Sequence, residues 1–201
     1  MKETNLYEIK EKALRSGRVV FGVAELSNLI GKDKNVAKVY LSRLVKRGLA
    51  FKLAKGKITL SEDEFIIATQ LIEPSYISLL SALNFHGVSQ QIPKFIQCVT
   101  TKNTFTFENL SIEYHKISQK LFFGYKTYKK GQSYIFVADI EKAILDGIYL
   151  RQLELSIIKE NIIKINIKML IDYSLAFPQK MQNAIKELLK YDKQKWIIAN
   201  C

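Results

Sequence analysis

The sequence predicts an α+β protein: an N-terminal winged helix-turn-helix, then a mixed α/β domain with a small sheet and C-terminal helices. Three observations predict it. Residues 23–60 (VAELSNLIGKDKNVAKVYLSRLVKRGLAFKLAKGKITL) read as a short helix, a glycine break, a longer helix and two β-prone runs around a basic turn. Beyond residue 74, helical stretches alternate with β-branched and aromatic runs bounded by turn residues. After residue 150 only helical patterns remain.

Each element follows in order. Leu6, Ile9, Ala13 and Leu14 suit an amphipathic helix stopped at Gly17. Val19, Val20 and Phe21 form a short β-prone run, suited to pairing with the hairpin of a winged helix. Helices over 23–30 and 34–46 flank Gly31, and strands over 49–53 and 57–60 flank the Lys55-Gly56-Lys57 turn. Ser61 to Glu64 reverse the charge and open a helix through Leu71 that stops near Pro74, since Ser caps and acids favour a first turn. The domain boundary is placed inside 60–74, giving domains 1–62 and 63–201. Residues 75–86 read as a helix stopped by Gly87. Strands are expected over 95–101, 110–116, 121–128 and 134–137, with a turn at Lys130-Gly131-Gln132. Asp139 is placed as the cap of a helix running to about Leu150, and further helices cover 154–164, 167–176 and 179–190.

Bulk properties narrow the function classes. The chain of 201 residues is large enough for a packed core. No apolar run approaches the ~20 residues that span a bilayer. The first residues are charged throughout and lack an apolar signal core, so secretion is not expected. The cysteines, Cys98 and Cys201, do not suggest a disulfide framework, and a reducing cytoplasm is the expected setting. Net charge is +12 and uneven. Residues 1–60 hold 14 Lys/Arg against 5 Asp/Glu, whereas residues 61–201 hold 17 against 14. Most of the excess therefore sits on the segment shaped like a DNA reader.

Within that segment Val36, Tyr40, Leu41 and Leu44 are assigned to the core face of the third helix. Asn35, Lys38, Val39 and Ser42 face outward near its start, where side chains of a recognition helix meet base edges. Asn pairs bidentately with adenine, and Val39 suits a thymine methyl. Arg43, Lys46, Lys52, Lys55 and Lys57 are assigned to phosphates, with Lys32 and Lys34 in the preceding turn and at the helix start. If about six of these neutralise phosphates, the log–log salt slope of binding is roughly −5. A merely solvated basic face is the competing reading. It is disfavoured because the charge is expected on the side of the basic hairpin tip.

Catalytic constellations are scarce. The sequence has no phosphate-binding glycine loop, no GxSxG elbow and no metal-spaced Cys/His cluster, so no enzyme activity, metal or cofactor is expected. His86 is read as serving the carbonyls of a helix end and His115 as a strand residue. Glu141 is placed on a solvated face, Asp146 as a buried hydrogen-bonded residue, and Cys98 as a small core residue. Most aromatics beyond residue 75 are read as core.

Two stretches of the second domain carry a family pattern. One is PSYISLLSALNFHGV, residues 74–88, followed by Gln91-Ile92-Pro93 and the strand through Thr101. The other is VADIEKAILDG, residues 137–147. With the N-terminal reader, residues 5–150 resemble the AbiEi antitoxin family of transcriptional regulators. The resemblance implies a type IV toxin–antitoxin system, with the antitoxin encoded beside a nucleotidyltransferase-like toxin. It implies that the first domain binds inverted repeats in its own promoter and represses it. It also implies that the second domain counteracts the toxin without requiring a stable complex. The family's basic surface maps onto Lys34, Lys38, Arg43, Lys46 and Lys55 to Lys57, and no catalytic residue is carried over. Ile140 and Gly147 stand where family members often have proline and cysteine. Paired half-sites would suit a homodimer. The alternative is a ligand-responsive winged-helix regulator whose second domain senses a small molecule.

Overall fold

The computed structural model describes residues 5–199, with side chains to Lys190. Cys201 lies outside the described residues. The chain is α+β, and it clusters into two compact units: Met1–Ser75 with Thr127–Ile135, and Tyr76–Lys126 with Phe136–Cys201. Among the described residues no helix is long and apolar enough to cross a membrane.

The first unit begins with α1 (Leu6–Arg15), β1 (Val20–Phe21), α2 (Val23–Ile30) and α3 (Lys34–Lys46). It continues with β2 (Phe51–Ala54), β3 (Lys57–Thr59) and α4 (Glu64–Leu71). Capping explains the helix starts. The side chain of Asn5 accepts the Tyr7 N–H on α1, and Asp33 accepts those of Asn35 and Val36 on α3. Asp63, two residues beyond the expected Ser61, caps α4 by accepting from Phe65 and Ile66. The Glu25 carboxylate reaches back to the Gly22 N–H at 3.0 Å, one arm of a capping box. Gly31, at φ +63°, ends α2 and lets the chain turn sharply into α3. The strands form an antiparallel sheet of order β1-β3-β2. Ile9, Ala13, Phe21, Leu26, Tyr40, Leu41, Leu44 and Ile58 share one core, so α1, α2 and α3 each bury one stripe against the others.

Gln70 on α4 stitches this unit. Its side-chain oxygen accepts from the Val19 and Val20 N–H groups at 2.8 and 3.2 Å. Its amide donates to Gly17 O and Ser133 Oγ. All of its polar capacity is used, as burial at 7% exposure demands.

A mixed six-stranded sheet comprises β4 (Ser75–Ile77), β5 (Ile96–Thr100), β6 (Phe105–Phe107), β7 (Ile112–Lys116), β8 (Tyr125–Lys130) and β9 (Ser133–Ala138). Its order is β6-β7-β5-β4-β9-β8. β4 runs parallel to β9 and β5 parallel to β7, while β6 returns antiparallel to β7. In the second unit α5 (Leu79–Phe85) packs on α6 (Ile140–Tyr149), and α6 on α8 (Ile167–Ser174). α7 (Ser156–Glu160) precedes α8, and α9 (Gln179–Ala199) packs on it.

Four expectations need correction. Residues 75–86 are not one helix: Ser75, Tyr76 and Ile77 form β4, and all three are buried. A sheet position buried on both faces shows no alternation, so the run cannot be told from a helix by period alone. Residues 121–128 are not one strand, because Gly124 at φ +72° breaks the run before β8. A Cβ there would meet Tyr173 at 2.9 Å and Lys142 at 3.0 Å, so a close approach as well as the backbone calls for glycine. Residues 154–164 divide into α7 and a 3₁₀ turn at Ile162–Lys164. β6 was not foreseen, being three residues long with two of them exposed.

Candidate nucleic-acid interface

α3 rests on the core through Ala37, Tyr40, Leu41 and Leu44, one stripe at helical spacing. Val36, assigned to that stripe from sequence, is half-buried, and Ala37 takes the inner place. At ~100° per residue, Lys34, Asn35, Lys38, Val39, Ser42, Arg43 and Lys46 occupy roughly the opposite half of the helix. All seven are exposed, and Val39 keeps 49% of its surface open despite being apolar. The Arg43 guanidinium lies 5.8 Å from the Tyr40 ring centroid, a cation–π contact that ties it to the helix surface. Lys32 differs from the rest. It is half-buried, and its carbonyl accepts from Ser27 Oγ at 2.6 Å, which ties the turn between α2 and α3.

The β2–β3 hairpin pairs Phe51 with Thr59, Lys52 with Ile58, and Ala54 with Lys57, with an irregularity between Lys52 and Ala54. Its tip is Lys55-Gly56. Gly56 takes φ +74° at the third turn position, where a left-handed residue is required. Lys52 and Lys55 are exposed. Lys57 is half-buried, and its Nζ donates to the carbonyl of Leu71, the last residue of α4. That carbonyl belongs to a helix end, where intrahelical partners are missing and a cation is favoured.

Between Lys34 and Leu60 the chain carries eight cations and no carboxylate. The nearest acid, Asp33, is engaged with two amide groups of α3. Two exposed residues of this segment escaped the sequence reading. Arg47 sits at the C-terminal cap of α3, beyond the periodic stretch that was sorted into faces. Phe51 is 52% exposed at the start of β2, a position to which the sequence assigned no role.

The second unit holds a different polar centre. Lys142 and Asp146, one helical turn apart on α6, form an ion pair with both side chains fully buried. Asp146 Oδ2 also accepts from Tyr76 Oη and Ser78 Oγ, each at 2.9 Å. Lys142 Nζ also donates to Tyr76 Oη at 2.9 Å. The ammonium sits 5.2–5.5 Å from the ring centroids of Tyr76, Phe123 and Phe177. Burial pushes the Asp146 carboxyl up and the Lys142 amine down, and in each case the partner's charge opposes the shift without cancelling it. Burial, with the Asp146 charge adding to it, raises the Tyr76 phenol well above its ordinary value. Sequence placed Asp146 correctly as buried and hydrogen-bonded, but its lysine partner was not foreseen.

Other candidate polar groups are held in structural contacts. Glu141 is buried rather than solvated, because its carboxylate accepts the Asn166 N–H at 2.7 Å at the start of α8. Asp139 stands at the start of α6 but makes no capping bond. Its carboxylate instead meets Lys126 Nζ at 2.8 Å and accepts from Tyr173 Oη at 3.2 Å. His86 Nε2 lies 2.8 Å from the Ala138 carbonyl, not against the end of its own helix. His115 Nε2 lies 3.3 Å from Glu113 Oε1 without hydrogen-bond alignment. Among the described residues no three His, Cys, Asp or Glu side chains gather into a metal-holding group. A cleft of about 340 Å³ in the first unit has Leu14, Val19, Leu60 and Ile66 in its lining. The Asp63–Lys130 ion pair, at 2.8 Å, also lines it.

No protein-family model matches the chain, and no curated protein matches it.

Proposed function

We propose that this chain is a sequence-specific DNA-binding transcriptional regulator, and that its first unit is a winged helix-turn-helix. The observation that carries the reading is the run of eight cations without a carboxylate between Lys34 and Leu60, exposed largely on the outer half of α3 and the β2–β3 hairpin. The element order supports it: α1-β1-α2-α3-β2-β3, with β3 between β1 and β2, has the form of a helix-turn-helix followed by a wing. In this reading α3 enters the major groove. Asn35, Lys38, Val39 and Ser42 face base edges there. Lys34, Arg43, Lys46, Arg47, Lys52 and Lys55 neutralise phosphates.

The finer proposal is an autorepressing antitoxin of a type IV toxin–antitoxin system, acting at inverted repeats in its own promoter. It rests on the likeness of residues 74–101 and 137–147 to the AbiEi pattern. The functional partner is then a nucleotidyltransferase-like toxin, with no stable complex required. A footprint on the DNA upstream of its own gene, run at two salt concentrations, tests the reading. The expected result is a protected, symmetric site lost steeply as salt rises, with a slope of roughly −5. Uniform, sequence-independent protection, or none, overturns it.

A further inference from the structure

The hairpin lysines are not equivalent. Lys55 is exposed at the tip and Lys52 is exposed on β2, the outer strand of its sheet. Lys57 opens the central strand β3, and its ammonium is turned onto the Leu71 carbonyl at the end of α4. A charged donor on a helix-end carbonyl is stronger than a neutral one, because the end carries partial negative charge. α4 is itself fixed: Gln70, one residue before Leu71, holds the backbone of Val19 and Val20 beside β3, and Asp63 caps the other end. The root of β3 is therefore tied to an element that does not belong to the basic face.

We infer that Lys57 is a positioning residue, which holds the β2–β3 hairpin against the end of α4 while Lys52 and Lys55 make the phosphate contacts. This deepens the DNA-binding reading and rests on it. It also removes Lys57 from the contact set that the sequence assigned. A phosphate ligand and a positioning residue leave different signatures. Losing a phosphate contact makes the salt dependence of binding shallower, because one fewer counterion is released. Losing a positioning contact leaves Lys52 and Lys55 on their phosphates in the complex but makes ordering the hairpin cost more, so affinity falls at every salt concentration and the slope is unchanged.

Fluorescence anisotropy with a labelled duplex from upstream of its own gene, titrated at several salt concentrations, separates the two. Lys57→Met is expected to weaken binding about tenfold at unchanged slope. Lys55→Gln is expected to lower the slope by roughly one. Lys57→Arg, which keeps a charged donor, is expected to restore most of the affinity. If Lys57→Met lowers the slope as Lys55→Gln does, Lys57 touches phosphate and the inference fails. If it changes neither affinity nor slope, the contact is only structural and the inference fails as well. A measurement on the parent protein covers the case in which Lys57→Met does not fold. In acylation footprinting, Lys57 should be slow to react with and without the duplex, while Lys52 and Lys55 react readily and become protected by it. Ready acylation of Lys57 that the duplex suppresses overturns the inference. If the parent does not bind the duplex at all, the DNA-binding reading itself has failed, which is a distinct result.

Discussion

Lys142 and Asp146 show why single residues of this chain resist reading from a sequence. A lysine in an amphipathic helix is normally assigned to solvent, yet this one is fully buried beneath three aromatic rings. Removing one member of such a pair strands the other charge. Asp146→Asn is expected to lower stability by about 3–5 kcal/mol in urea unfolding. Lys142→Met combined with Asp146→Leu should lose clearly less than that; a double variant weaker than the single one would refute the pairing argument. Gly147 has a comparably local cause: a Cβ there would overlap Leu153, whose Cγ would stand 2.6 Å away. Cys98 is fully buried in β5, and burial, with Glu113 adding to it, pushes its thiol well above the ordinary range. With Cys201 replaced by Ser, the native protein should take up no aromatic disulfide reagent at pH 8 until denaturant is added. Prompt reaction would contradict the buried strand.

At the scale of elements, α3 and the hairpin carry the functional argument. The amphipathic pattern divided α3 into inner and outer faces, and its limits, Lys34–Lys46, are those expected from the helical run that follows the Gly31 break. Lys38→Glu with Arg43→Glu reverses two charges on the outer face and gives up the Arg43 contact with the Tyr40 ring. The double variant should keep its far-ultraviolet circular dichroism and a cooperative unfolding transition but fail to shift its promoter fragment in a gel. A shift equal to the parent's would show that α3 does not face DNA. β4 was illegible for the opposite reason: Ser75, Tyr76 and Ile77 are all buried, so no alternation betrays a strand. Leu79 takes φ +51° and is fully buried as the chain passes from β4 into α5, a conformation held by packing rather than by residue preference.

At the scale of the whole molecule, the buried ion pair imposes a dependence on pH. Asp146 is raised, so the folded protein keeps a proton that the unfolded chain has released, and stability falls as pH rises from the ordinary carboxylate range through the folded value. Lys142 is lowered, so the unfolded chain binds its proton more tightly, and stability rises again as pH climbs from the folded value toward the ordinary lysine range. Relative to the Lys142→Met, Asp146→Leu double variant, the parent should therefore be least favoured between those two windows. Urea midpoints of both proteins at acid, neutral and alkaline pH check this, and a constant difference across the range would count against it.

The sequence by itself determined the α+β class, the order of the first three helices with the limits of the second and third, and the concentration of positive charge in residues 1–60. Those features are local, since caps, glycine stops and helical periodicity act over a few residues. Tertiary structure alone decided that Lys57 serves a helix end, that Glu141 and Lys142 are buried, and that residues 75–77 join a sheet. Each depends on a partner far away in the chain, and no short-range pattern encodes which distant carbonyl, carboxylate or strand a side chain will meet.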